Sequence, residues 1–134
     1  MLLIEALRLH LAEGSSRSAG WLFALGDKQI TAVIAAMHAE PARPWTLADL
    51  ARIGGMSRSS FAVRFKNSVG EPAMDYLTRW RMMVAADRLA SGRVSIASVA
   101  PTVGYEPESA FGAAFKRTIG RSPRQFAQAH RQQD

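Results

Sequence analysis

The chain has 134 residues, 48% of them apolar, with a formal net charge of +6 and no cysteine. That length can bury one core or two very small ones, and the lack of cysteine excludes a disulfide framework, a thiolate metal site and a cysteine nucleophile. No stretch nears the roughly 18 uninterrupted apolar residues of a membrane span, and no basic and apolar leader opens the chain, so a cytoplasmic protein with no membrane partner is expected.

In chain order, Leu3, Ile4, Leu7 and Leu11 recur at helical spacing and predict a short amphipathic helix from Leu2 to Ala12. Residues 13–20 form a flexible break of small polar side chains, followed by an apolar knot at Trp21, Leu22, Phe23 and Leu25. Asp27 is placed to cap a helix from Lys28 to about Ala39 that buries Ile30, Val33, Ile34 and Met37, and Pro41 and Pro44 stop it. Thr46 caps a helix from Leu47 to Ile53, with Asp49 in the reciprocal place of a capping box and Trp45 against Leu50 as a hydrophobic staple. Gly54-Gly55 ends it, Gly55 being free to turn left-handed. Ser57 caps the next helix, which extends to about Val69 with Phe61 and Phe65 inward.

Pro72 opens a long helix to about Ala90, whose main apolar positions are Tyr76, Leu77, Trp80, Met83, Val84 and Leu89; Ser91-Gly92 ends it. Ser95 caps the following helix between staple residues Val94 and Val99, and Gly104 supplies the turn. Pro107 then stands at a first helical position with Glu106 as cap, and that helix runs to about Ile119 with Phe111 and Phe115 inward. A last short helix starts at Ser122-Pro123 and passes through Phe126, after which residues 128–134 read as frayed.

Two of these stretches are copies of one another. Leu47, Leu50, Ala51, Gly55 and Met56 match Ile96, Val99, Ala100, Gly104 and Tyr105 at an offset of 49; after one inserted residue, Phe61, Phe65, Lys66 and Gly70 match Phe111, Phe115, Lys116 and Gly120 at 50. A tandem duplication of one helical unit is implied, since two copies are too few for a solenoid. The predicted architecture is all-α. Residues 1–45 hold N-terminal helices and a connector, 46–71 a first helix-turn-helix subdomain, 72–92 a linker helix, and 93–134 a second helix-turn-helix subdomain.

Charge follows the duplication. Residues 1–45 hold four basic and four acidic side chains, whereas residues 46–134 hold thirteen and seven. A basic excess confined to the repeated part favours a polyanionic partner, nucleic acid ahead of an anionic membrane surface; a merely solvated face is the plainer alternative. A short helix, a glycine turn and a second capped helix form a helix-turn-helix, whose second helix can lie in a DNA major groove. One such copy is better explained by an ordinary helical bundle, but two copies together with the charge favour double-stranded DNA.

Pro44-Trp45-Thr46-Leu47, Gly55-Met56-Ser57-Arg58-Ser59, Trp80-Arg81-Met82, Val103-Gly104-Tyr105, Ala114-Phe115-Lys116-Arg117 and Gly120-Arg121-Ser122-Pro123 resemble, in order and spacing, the DNA-binding domain of AraC/XylS-type transcription regulators. The resemblance covers about Thr46 to His130. Residues 1–45 look similar to the tail of a cupin-like sensor domain and its connecting helix, and the effector-binding domain itself is missing from this chain. The resemblance implies that two recognition helices enter successive major grooves, that a single chain reads an asymmetric pair of unlike boxes, and that RNA polymerase is a partner.

With Phe61 and Phe65 inward, Arg58, Ser59, Ala62 and Val63 are left on the outer side of the first recognition helix; with Phe111 and Phe115 inward, Glu108, Ser109, Gly112 and Ala113 are their counterparts. These resemble the positions that family members use for base contacts. Arg58 can reach guanine, Glu108 can accept from cytosine and the serines can bond either edge, but the remaining side chains offer only apolar contact, so DNA shape and backbone contacts are expected to share the discrimination. Ser57, Arg64, Lys66, Lys116, Arg117, Arg121 and Arg124 are the candidates for phosphate contact. Arg81 and Arg88, close to Asp87, are more simply helix-surface or ion-pairing residues.

Other chemistry finds little support. His10, His38 and His130 are widely spaced and make no metal site, Ser57, Ser59 and Ser60 lack a His and acid motif, and Gly54-Gly55 lacks the spaced glycines and Lys-Ser/Thr of a phosphate loop. No enzyme activity and no cofactor is expected. Two other classes stay open: a helical protein-interaction module, and the DNA-targeting part of a larger protein.

Overall fold

The computed structural model describes residues 27–132; the expected helix at Leu2–Ala12, the knot at Trp21–Leu25 and His10 lie outside that range. Among the described residues there are seven helices: α1 (Lys28–Ala39), α2 (Leu47–Ile53), α3 (Arg58–Val69), α4 (Ala73–Ala90), α5 (Ile96–Thr102), α6 (Glu108–Ile119) and α7 (Pro123–Gln132). They fall into two compact units, one of residues 27–40 and 44–77, the other of residues 41–43 and 78–132.

In the first unit α1, α2 and α3 each start where a side chain can satisfy first-turn amides. Asp27 accepts from the N–H groups of Gln29 and Ile30, Thr46 and Asp49 exchange a reciprocal pair of bonds, and Ser57 accepts from Ser60 N–H. Each such cap contributes about 1 kcal/mol. The apolar stripe of α1, Ile30, Val33, Ile34 and Met37, is buried as its spacing predicts. It packs against α2 and α3. Phe61 and Phe65 are fully buried on α3, with Phe65 edge-on to Tyr76 at 5.7 Å. Truncating Phe65 to alanine would cost about 3–5 kcal/mol through the lost burial and the cavity left behind. His38 shares a 2.8 Å hydrogen bond with the Tyr76 hydroxyl, an ordinary structural role. The Trp45 indole donates to the Glu40 carbonyl at 2.9 Å, which pins the residue before the first helix-turn-helix.

The second unit repeats the plan. α5 and α6 have the lengths of α2 and α3, seven and twelve residues. The two turns also close alike: Met56 N–H bonds the Ala51 carbonyl and Tyr105 N–H the Ala100 carbonyl, both at 3.0 Å. Such a closure needs a left-handed residue just before it, and Gly55 (φ 69) and Gly104 (φ 83) supply it. Gly104 has a second reason to be glycine, because a Cβ there would lie 3.1 Å from the Ala42 carbonyl oxygen. Aromatic contacts run Tyr105–Phe111–Phe115–Phe126 at 5.5–6.1 Å, tying α6 to α7.

Four expectations change. Helix α6 begins at Glu108, not at Pro107: Pro107 is extended (ψ 175), occupies the N-cap itself and offers no side-chain acceptor, so Glu106 does not cap. Val94 is 43% exposed and leaves the second staple half-formed. Residues 128–132 do not fray, since α7 continues to Gln132, and residues 133–134 lie outside the described range. Ser122 and Gln125 start that helix with a reciprocal capping box, Ala127 is buried, and the His130 ring bonds the Phe126 carbonyl. On α4, Met82 and Ala85 are buried along with the expected Met83 and Val84. Four consecutive buried residues mean that this turn is covered all round, which a one-faced stripe does not anticipate.

Candidate nucleic-acid interface

An α-helix turns about 100° per residue, so fixing Phe61 and Phe65 in the core decides what α3 offers outward. Arg58, Ser59 and Val63 are exposed, Val63 to 62%, and Ala62 is half-buried beside them. On α6 the fully buried Phe111 and Phe115 leave Glu108, Ser109 and Ala113 exposed and Gly112 half-buried. A Cβ at Gly112 would meet nothing within 4 Å, so that position faces open space and is not a packing site. Within each unit the predicted base-reading residues therefore share one outer face. None of their side chains makes a hydrogen bond or ion pair among the described residues.

The start of the two recognition helices differs. Ser57 caps α3, while α6 has no side-chain cap and carries Glu108 in its first turn. A carboxylate is favourable there because the helix N-terminus carries partial positive charge.

The phosphate candidates divide. Lys66, Lys116, Arg117, Arg121 and Arg124 are exposed, and none has an ion pair or hydrogen-bond partner for its side chain among the described residues. Ser57 is exposed but its hydroxyl oxygen is engaged by Ser60 N–H at 3.3 Å. Arg64 is different. Its Nε donates to Asp27 Oδ2 at 2.7 Å, and its Nη1 lies 3.9 Å from Met56 Sδ.

Asp27 is thus a residue with two tasks, only one of which its sequence position reveals. Oδ1 caps α1, and Oδ2 holds Arg64 on α3. Burial tends to raise its carboxyl, but the Arg64 hydrogen bond and charge together with the Ile30 and Gln29 amides outweigh this and hold it below the ordinary carboxylate value. The pair shares an open groove with Ser59, Val63 and Asn67. The partners are 37 residues apart, and no local spacing could have joined them.

Arg81 and Arg88 behave as structural residues. Arg81 donates from Nε to the Pro41 carbonyl at 2.8 Å and from Nη2 to the Arg43 carbonyl at 2.7 Å, fastening residues 41–43 to the second unit. Burial pulls its guanidinium below its ordinary value, opposed by Tyr105 beside it. Arg88 reaches the Thr102 carbonyl at 3.4 Å. Among the described residues no group of His, Cys, Asp or Glu could hold a metal ion, and no helix is long and apolar enough to cross a membrane.

Residues 50–129 match the family model described as a helix-turn-helix domain. The chain is 45% identical over 123 residues to a protein of Streptomyces lividans described as an AraC-like transcription regulator, covering 92% of this chain and 40% of that protein. It is 38% identical over 128 residues to the HTH-type transcriptional regulator AlkR of Acinetobacter baylyi, covering 96% and 42%. The chain thus spans about two-fifths of the length of these curated relatives. Among solved structures, the DNA-binding domain of the global transcriptional factor AdpA in complex with a target DNA superposes with a TM-score of 0.70 at 27% identity, over 80% of this chain and 96% of that one.

Proposed function

Because this chain belongs to the AraC-type helix-turn-helix DNA-binding family, we propose that it acts as a sequence-specific transcription regulator, placing α3 and α6 in adjacent major grooves of one duplex. The observation that carries this reading is the structural repeat: two seven-residue helices, two identically closed glycine turns and two twelve-residue helices, each of the latter turning a face of unengaged side chains outward. On α3 the base-reading set is Arg58, Ser59, Ala62 and Val63. On α6 it is Glu108, Ser109, Gly112 and Ala113. Ser57, Lys66, Lys116, Arg117, Arg121 and Arg124 contact phosphates, which carry affinity and register and little sequence information.

The two sets differ in charge and size, so the two half-sites are unlike and a single chain reads both. Contact with RNA polymerase, an effector received by another part of the protein, and action in the bacterial cytoplasm belong to the same proposal.

Selection from a randomised duplex pool tests it, followed by salt titration of the winning sequence. The expected site has two dissimilar boxes whose centres lie about one helical turn, roughly 34 Å, apart. Five cationic phosphate contacts predict that log affinity falls with log salt at a slope of about −4.5. Uniform binding of all sequences would reduce the function to non-specific DNA association, and no binding at all would refute it.

A further inference from the structure

We propose that Asp27 is a specificity residue of the DNA-binding reading above, on which this inference rests: its carboxylate holds Arg64 away from DNA phosphate, so that Arg64 adds no sequence-independent contact beside the base-reading residues of the first recognition helix, where Lys66 already supplies one. Arg64 alone among the cationic phosphate candidates has an ion-pair partner among the described residues. The pair is asymmetric in a telling way. The Arg64 side chain is 46% exposed and the Asp27 side chain only 15%.

Asp27 is fixed before Arg64 arrives. Its Oδ1 accepts from the Gln29 and Ile30 amides at 3.1 and 3.3 Å, and the helix so capped is anchored by fully buried Ile30 and Val33. The carboxylate is therefore part of the scaffold, and holding the guanidinium requires the ordering of one side chain instead of two. The 2.7 Å contact is a charge-assisted bond of the strong kind. The depressed carboxyl keeps Asp27 ionised wherever DNA binding is measured. Position matters as much as strength, because the pair opens onto the same groove as Ser59 and Val63. A free arginine there would seize the nearest phosphate of any sequence. A neutralised one releases no counterion.

The test compares salt slopes of affinity for wild type, Asp27→Asn, Arg64→Gln and the double variant, on the pool-selected duplex and on a scrambled duplex of equal length. Asparagine caps a helix about as well as aspartate, so α1 is preserved. Arg64→Gln is expected to leave the slope within about 0.3 of wild type. Asp27→Asn should steepen it by about 0.9, one phosphate contact, and should tighten the scrambled duplex more than the selected one. The double variant, with wild-type net charge, should return to the wild-type slope.

A slope flattened by about 0.9 in Arg64→Gln alone would mean that Arg64 already grips a phosphate, and would overturn the proposal. An unchanged slope in Asp27→Asn would overturn it too, as would a steepened slope that persists in the double variant. Should Asp27→Asn fail to fold, Asp27→Ser, which keeps a capping oxygen without the charge, takes its place and must steepen the slope in the same way. If wild type binds neither duplex, the DNA-binding reading has failed before any variant is measured, and this inference falls with it.

Discussion

Gly112→Ala should separate folding from reading more cleanly than any other change in this chain. Glycine within a helix costs about 0.5–1 kcal/mol relative to alanine through the backbone freedom it loses on folding. Gly112 sits in the middle of α6, and a Cβ there would touch nothing within 4 Å, so the added methyl costs nothing in packing. Stability should rise by about 0.5–1 kcal/mol, which for a domain of this size raises Tm by about 2–8 °C. The same methyl would stand on the face between Glu108, Ser109 and Ala113, which the proposed function sets against base edges. Affinity for the selected duplex should fall by about 1–2 kcal/mol, the scale of one mismatched base pair, while affinity for a scrambled duplex changes little. Thermal unfolding and duplex titration on the same preparation decide it. A stabilised protein with unchanged affinity for every duplex would remove the outer face of α6 from the interface; a destabilised one would show that this face is occupied by a neighbour.

Lys116→Gln should reduce the salt slope by about 0.9 and weaken binding equally on all sequences, since a phosphate contact carries no base information; a sequence-dependent loss would place Lys116 on a base. Arg81→Met removes both bonds to the Pro41 and Arg43 carbonyls and should cost about 1–3 kcal/mol of unfolding free energy in a denaturant titration. If it instead lowered the salt slope with stability intact, Arg81 would be a DNA contact. Because Asp27 titrates below its ordinary value of 3.8 when folded, its stabilisation is complete above that value and disappears as pH falls through the folded value. The urea midpoints of wild type and Asp27→Asn should therefore differ most near neutrality and converge in acid; a difference that grows in acid contradicts the ion pair.

What could be foreseen from the chain divides along sequence separation. Asp27 with Ile30, Thr46 with Asp49, Ser57 with Ser60 and Ser95 with Ser98 are partners three residues apart, and helix geometry alone brings them together. The inward faces of α1, α3 and α6 were equally legible, because their periodicity needs no knowledge of the neighbour. Asp27–Arg64, His38–Tyr76 and Arg81 with the Pro41 carbonyl span 37, 38 and 40 residues, and depend on how helices pack. The misplaced start of α6 has a local cause: Pro107 suits a first helical turn by its fixed φ, yet its ψ of 175° is extended, so the helix begins one residue later. The length of α7 was missed because its polar composition hides the reciprocal Ser122–Gln125 cap and the buried Ala127.

Side chains that bear no weight in the fold are free to drift. Ser59, Val63, Ser109 and Ala113 stand exposed, with no hydrogen bond or ion pair of their own among the described residues, and Gly112 has room for a larger neighbour. Substitutions at the four exposed positions change folding free energy by a few tenths of a kcal/mol, the usual scale for a solvated surface, and replacing Gly112 by another helix-former is stabilising. Such a protein can acquire a new operator by point mutation without passing through an unstable intermediate. A library randomised at these positions would, by the same logic, remain almost entirely foldable, which makes this chain a practical frame for retargeting.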